Sequence, residues 1–89
     1  QVDALVALTH IGLREDERLA SACPELDVII GGHSHNKLAE PKMVNGVPIV
    51  QAGWFGHFLG ETQLKWHVPG ERPRVTGRLI DLREIPPAG

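Results

Sequence analysis

Two apolar runs separated by a short helical stretch constrain this chain more than any other feature. Residues 2–9 are apolar apart from Asp3. That is the pattern of a strand covered on both faces, typical of a parallel sheet, and it predicts a central strand. Residues 14–22 hold good helix formers, with Glu15, Asp16 and Glu17 early, where the helix dipole favours negative charge, and Pro24 beyond the end to stop it. Residues 26–30 form a second β-branched run closed by Gly31 and Gly32. The three stretches make one β-α-β unit. A right-handed crossover leaves its strands parallel, so both C-terminal ends meet at one rim, where open parallel sheets bind their ligands.

The later half has a different character. Residues 42–44 and 47–50 flank Asn45-Gly46, the strongest short hairpin signal, because both turn positions need positive φ. Residues 51–60 are punctuated by glycine and carry Trp54, Phe55 and Phe58, which are expected to pack inward from a loop or single helical turn. Residues 61–68 alternate, with Leu64, Trp66 and Val68 on one face, and predict a half-buried strand. Residues 74–82 supply its antiparallel partner across a proline-rich turn. The fold class expected is α/β: one parallel β-α-β unit followed by mainly antiparallel strands, in a mixed sheet or sandwich. Residues 1–85 would form a single domain portion, and 86–89 a frayed tail. One helix cannot cover both faces of the first strand, so a second layer is expected from upstream chain or a partner chain. The opening at Gln1 within an apolar run likewise suggests a start inside a domain.

A chain of 89 residues buries little of its surface, so the core is expected to be small. The net charge of −2 gives no basic surface for a nucleic acid polymer or an anionic membrane. The longest apolar stretches fall far short of the roughly 20 residues that span a bilayer. Cys23 is the single cysteine, which rules out an intrachain disulfide and a cysteine cage, and its plain reading is a small buried residue.

The chemistry concentrates in Gly31-Gly32-His33-Ser34-His35-Asn36. In an extended segment, residues two apart point the same way, so His33 and His35 would present both imidazoles together. Neutral imidazole is the commonest metal ligand. A His-x-His pair alone is a weak signal, and its plainer reading is a polar loop. His10, placed on the same rim by the β-α-β argument, favours the metal reading. No carboxylate accompanies the three, whereas two-metal phosphoesterases need carboxylates to bridge and balance their ions.

The segments Ala7-Leu8-Thr9-His10-Ile11-Gly12, Asp27-Val28-Ile29-Ile30-Gly31-Gly32-His33-Ser34-His35 and Pro48-Ile49-Val50-Gln51-Ala52-Gly53, with Leu59-Gly60 after them, resemble the calcineurin-like metallophosphoesterases. Within that family the likeness is to the 5′-nucleotidase and cyclic-phosphodiesterase branch, and it runs from about Val2 to Leu82. The resemblance implies that His10 and His33 bind one divalent metal and His35 the other, the ions being manganese, zinc, magnesium, iron or calcium. The family's other ligands, its bridging aspartate and its catalytic histidine have no match here, so no catalytic residue is assigned. The implied activity is hydrolysis of nucleotides or related phosphate esters by a larger protein. Alone, these residues are expected to bind metal weakly and not to turn over substrate. The resemblance also favours a periplasmic or extracellular location.

Asn36 is a candidate contact to a phosphate or an outer-shell water. His57 reads as a packing or surface histidine, His67 as solvated, and Glu15, Asp16 and Glu17 as a solvated helix face without a role. Other readings stay open: a non-catalytic metal-binding or assembly module, one half of a split hydrolase, or a hydrolase of the same fold acting on a sulfur or sugar-nucleotide ester.

Overall fold

A computed structural model describes residues 3–53 and 57–84. The β-α-β unit is present as β1 (Val6–Leu8), α1 (Leu13–Ala22) and β2 (Val28–Ile30). A hairpin of β3 (Lys42–Val44) and β4 (Val47–Val50) follows, then β5 (Phe58–Lys65) and β6 (Arg74–Asp81), with a 3-10 turn at Leu82–Glu84. One sheet has the order β1-β2-β4-β3, in which β1, β2 and β4 are parallel and β3 runs against β4. The second sheet is the antiparallel pair of β5 and β6. This is the α/β arrangement expected, a parallel unit followed by antiparallel strands.

Local chemistry sets these elements. Asn45 and Gly46 have φ of 52° and 77°, as a two-residue turn matched to strand twist requires, and the register pairs Val44 with Val47. Asn45 also donates through Nδ2 to the carbonyls of Ala20 and Ser21, at 3.4 and 3.3 Å. The hairpin thereby satisfies carbonyls that the last turn of α1 leaves without partners. The helix begins one residue before the expected start, at Leu13, and closes where the Cys23 amide donates to the Leu19 carbonyl at 2.8 Å.

The core lies between α1 and the parallel sheet. Ala20, Leu26, Ile29, Val47 and Ile49 are buried together, with Leu13, Leu19, Cys23, Leu38 and Val44 packed around them. Cys23 is half-buried rather than fully enclosed. Complete burial of an aliphatic side chain stabilises by roughly 1.5 to 3 kcal/mol, so these few residues carry much of the fold. The β5–β6 pair meets the sheet's other side through glycines: Gly77 sits against Pro41 and Val50, and Gly60 against Ala52. A cleft of about 330 Å³ remains between the two sheets, lined by Ile30, Val50, Thr62 and Leu79 among others. Arg72 ties the turn between β5 and β6 to the segment entering β2, through the carbonyls of Pro24 and Leu26 and, at 3.4 Å, the Asp27 carboxylate.

Three expectations are corrected. The first strand is not central: β1 is three residues long and lies at the sheet's edge, with Leu8 83% exposed and Val6 46%. Among the described residues nothing covers these side chains. Trp66 and Val68 do not share a half-buried face with Leu64, because β5 ends at Lys65 and both are exposed. The helix's acidic residues are not all solvated: Glu15 pairs with Arg18 at the surface, but Asp16 is fully buried. Trp54 and Phe55, expected to pack inward, and the 86–89 tail lie outside the described residues. No helix among the described residues is long and apolar enough to cross a membrane.

Candidate metal centre

The rim forms because strand pairing continues past the strands. The Thr9 amide donates to the Ile30 carbonyl at 2.9 Å, the Gly31 amide to the Val50 carbonyl at 2.9 Å, and the Gly12 amide to the Gly32 carbonyl at 3.0 Å. Segments 9–12, 31–36 and 50–53 are therefore laced side by side at the C-terminal ends of β1, β2 and β4. His10 and His33 meet there, with His10 Nε2 3.3 Å from His33 Nδ1, the ring centroids 5.0 Å apart and the planes at 73°. Gly32 makes this approach possible, since a Cβ at that position would stand 3.2 Å from His10 Nδ1.

The dihistidine loop is not extended, which corrects the geometry expected of it. His33 and His35 both have positive φ, 81° and 61°. Left-handed backbone at a residue other than glycine costs roughly 1 to 3 kcal/mol and persists only where the surroundings enforce it. Two such residues flanking Ser34 mark the loop as held, not relaxed. His33 and His35 are both exposed.

The holding groups are polar and come from three directions. Gly12 gives α1 no side-chain cap; instead Ser34 Oγ accepts from the Leu13 amide at 2.9 Å. The Ser34 hydroxyl donates to Asn36 Oδ1, and Gln51 Nε2 approaches Ser34 Oγ at 3.4 Å. Gln51 is 3% exposed, and its Oε1 accepts from the Asn36 amide at 2.6 Å. The Asn36 carbonyl accepts from the Gly53 amide at 2.8 Å, so Asn36 spends three of its polar groups on the loop. Its Nδ2 has no partner described and is the one group it could turn to a ligand.

Below the loop, Asp16 accepts from the Thr9 hydroxyl at Oδ1, 2.6 Å away, while its buried Oδ2 has no partner among the described residues. A Cβ on Gly31 would fall 2.1 Å from that oxygen, so any larger residue there would have to displace the Asp16 carboxylate. Sequence reasoning passed Asp16 over, although a signal existed: it lies three residues after Leu13 and four before Ala20, on the helix's apolar stripe. The Ser34–Gln51 network was also missed, since no periodicity announces it. His57 is half-buried and His67 exposed.

Two imidazole nitrogens 3.3 Å apart suit either of two arrangements: a hydrogen bond between one protonated and one bare nitrogen, or adjacent positions on one ion. Ligands of a tetrahedral ion with bonds near 2.1 Å stand about 3.4 Å apart. Among the described residues no group of three or more histidine, cysteine, aspartate or glutamate side chains converges on a metal position. The spacing of these two nitrogens matches two positions of a divalent ion's ligand set and no more.

No family model matches the chain. Individual relatives do. Over 60 residues the chain is 42% identical to an uncharacterized metallophosphoesterase, YunD, of Bacillus subtilis, covering 67% of this chain and 13% of that protein. It is 32% identical over 104 residues to a snake venom 5′-nucleotidase of Macrovipera lebetinus, covering 96% of this chain and 26% of the relative. An apyrase of Aedes aegypti is 31% identical over 93 residues, covering 79% of this chain and 16% of the relative. The chain therefore spans only about a quarter or less of the length of these curated relatives.

Proposed function

Since the chain belongs to the metallophosphoesterases of the 5′-nucleotidase branch, we propose that it is part of a two-metal hydrolase of nucleotides or related phosphate esters, in which His10 and His33 ligate one ion and His35 the other. The observation that carries this reading is the 3.3 Å approach of His10 Nε2 to His33 Nδ1 across the sheet rim. The positive φ at both histidines of the loop supports it, because strain of that kind is kept where a site needs it.

Divalent ions in such a centre supply Lewis-acid polarisation of the phosphoryl group and a water made acidic enough to attack near neutral pH. The chain's own residues hold and orient. His10 offers Nε2 and His33 offers Nδ1 from the segments that follow β1 and β2, whose continued pairing fixes their separation. Asn36, whose other polar groups are spent on the loop, would donate through Nδ2 to a phosphoryl oxygen or to an ordered water. The bridging carboxylate, the other ligands and the histidine that steadies the phosphoryl oxygens belong to segments outside these 89 residues or to a partner chain. The bare edge of β1, with Leu8 83% exposed, supports such an addition.

The test is phosphate release from a nucleoside 5′-monophosphate by the full-length protein with manganese present. His33→Ala should lower the rate by at least on the order of 10²-fold, the upper end of what losing even an outer-shell partner of a metal ligand costs. Full activity in that variant would sink the assignment. The 89-residue chain alone should be inactive, and manganese-stimulated hydrolysis by it, lost in His35→Ala, would show that the chain needs no other segment.

A further inference from the structure

Three groups converge on Ser34 Oγ and use its full hydrogen-bonding capacity. A hydroxyl has one proton to give and two lone pairs to offer. Here the Leu13 amide and Gln51 Nε2 donate to it, and it donates to Asn36 Oδ1. Each partner leads to a different part of the rim. Leu13 opens the helix that follows His10; Gln51 closes β4; Asn36 ends the loop itself. Ser34 also stands between the two residues whose backbones are left-handed.

We propose that Ser34 is a positioning residue for the metal centre: its hydroxyl, by capping α1 from the neighbouring loop, fixes His33 and His35 relative to His10. A serine at the start of a helix usually caps its own chain. Here the cap comes from 21 residues away, so the first amide of the helix finds this partner only with the dihistidine loop seated on it. Capping of the helix and placement of the ligands are thereby coupled. Gln51 supports the other side: its buried amide takes the Asn36 N–H and so prevents the loop from relaxing outward. Gly12, at φ 90°, lets the chain pass beneath Ser34, whose Cβ would be 3.6 Å from a side chain there.

This inference rests on the two-metal reading, and the test separates the two. Cobalt(II) binding to the metal-free full-length protein is followed by its visible absorption, with amide exchange at Leu13 read in parallel. For Ser34→Ala the expectation is a native far-UV spectrum, faster exchange at Leu13, and a cobalt dissociation constant raised about 10- to 100-fold, the range for outer-shell partners of metal ligands. Ser34→Thr, which keeps the hydroxyl, should restore binding to within a few fold. Ser34→Val, which has the shape of threonine without its hydroxyl, carries the same expectation where alanine does not fold. Unchanged cobalt affinity in Ser34→Ala or Ser34→Val with a deprotected Leu13 would overturn the proposal and leave the metal reading standing, because the hydroxyl would then be a helix cap and nothing more. A wild-type protein that takes up no cobalt would overturn both.

Discussion

Ala20, Leu26, Val28, Ile29, Val47, Pro48 and Ile49 are the buried apolar side chains among those described, and all belong to α1, the parallel sheet and the connection between them. The β5–β6 pair buries none of its side chains fully; its positions alternate between exposed and half-buried. The first region is held by apolar burial. The second is held by its ladder, by the cross-strand ion pair of Glu61 with Arg78, and by the Arg72 strap. The contrast teaches where precision is kept. The rim that gathers the histidines grows from the buried region, where register cannot slip without exposing Ile29 and Ile49, whereas the antiparallel pair serves as a cover.

The largest effect expected from this contrast is at Ile29, in the middle of β2. Ile29→Ala should lower stability in urea unfolding by about 2 to 5 kcal/mol, because a fully buried side chain leaves a cavity the sheet cannot close. Leu79→Ala, at a half-buried position of β6, should cost about 1 kcal/mol or less. Equal losses at the two sites would erase the distinction between core and cover.

A smaller effect is expected from acid. The Arg78 guanidinium, by hydrogen bonding and then by charge, holds the Glu61 carboxyl below its ordinary value of 4.5. Hydrogen bonds from the Arg83 side chain and amide likewise hold Asp81 below its ordinary 3.8. A carboxylate whose pKa is depressed on folding stabilises the fold above its unfolded value and loses that contribution as pH falls through the folded one. Neither group is buried, so the effect is modest and weakens with salt. Amide exchange during an acid titration should therefore lose protection in β5 and β6 before β2 and β4. Loss in the reverse order would place the weaker region in the sheet.

Much of this was legible in the sequence, for identifiable reasons. Asn45-Gly46 specifies its turn through backbone conformation alone, so the hairpin boundaries of β3 and β4 are those expected. The β-α-β unit was legible because apolar runs and helix-stop signals are local. The edge position of β1 was not, since an apolar run reports that two faces will be covered and not which chain covers them. Asp16 was misjudged because a charge on a helix reads as solvated until Thr9 and Gly31 are seen to close over it. The approach of His10 to His33 followed from topology, but the left-handed loop did not: it arises from Ser34, Asn36 and Gln51 acting across 17 residues, which no periodic pattern encodes.

The central claim is that His10 and His33 share an ion. Anomalous diffraction at the manganese edge from manganese-loaded crystals of the full-length protein tests it most directly. The account predicts a peak between the two rings, about 2.1 to 2.2 Å from both His10 Nε2 and His33 Nδ1, with a second peak roughly 3.5 to 4 Å away on the His35 side. A structure at full manganese loading in which the two nitrogens remain hydrogen-bonded to each other, with no peak between them, would contradict it.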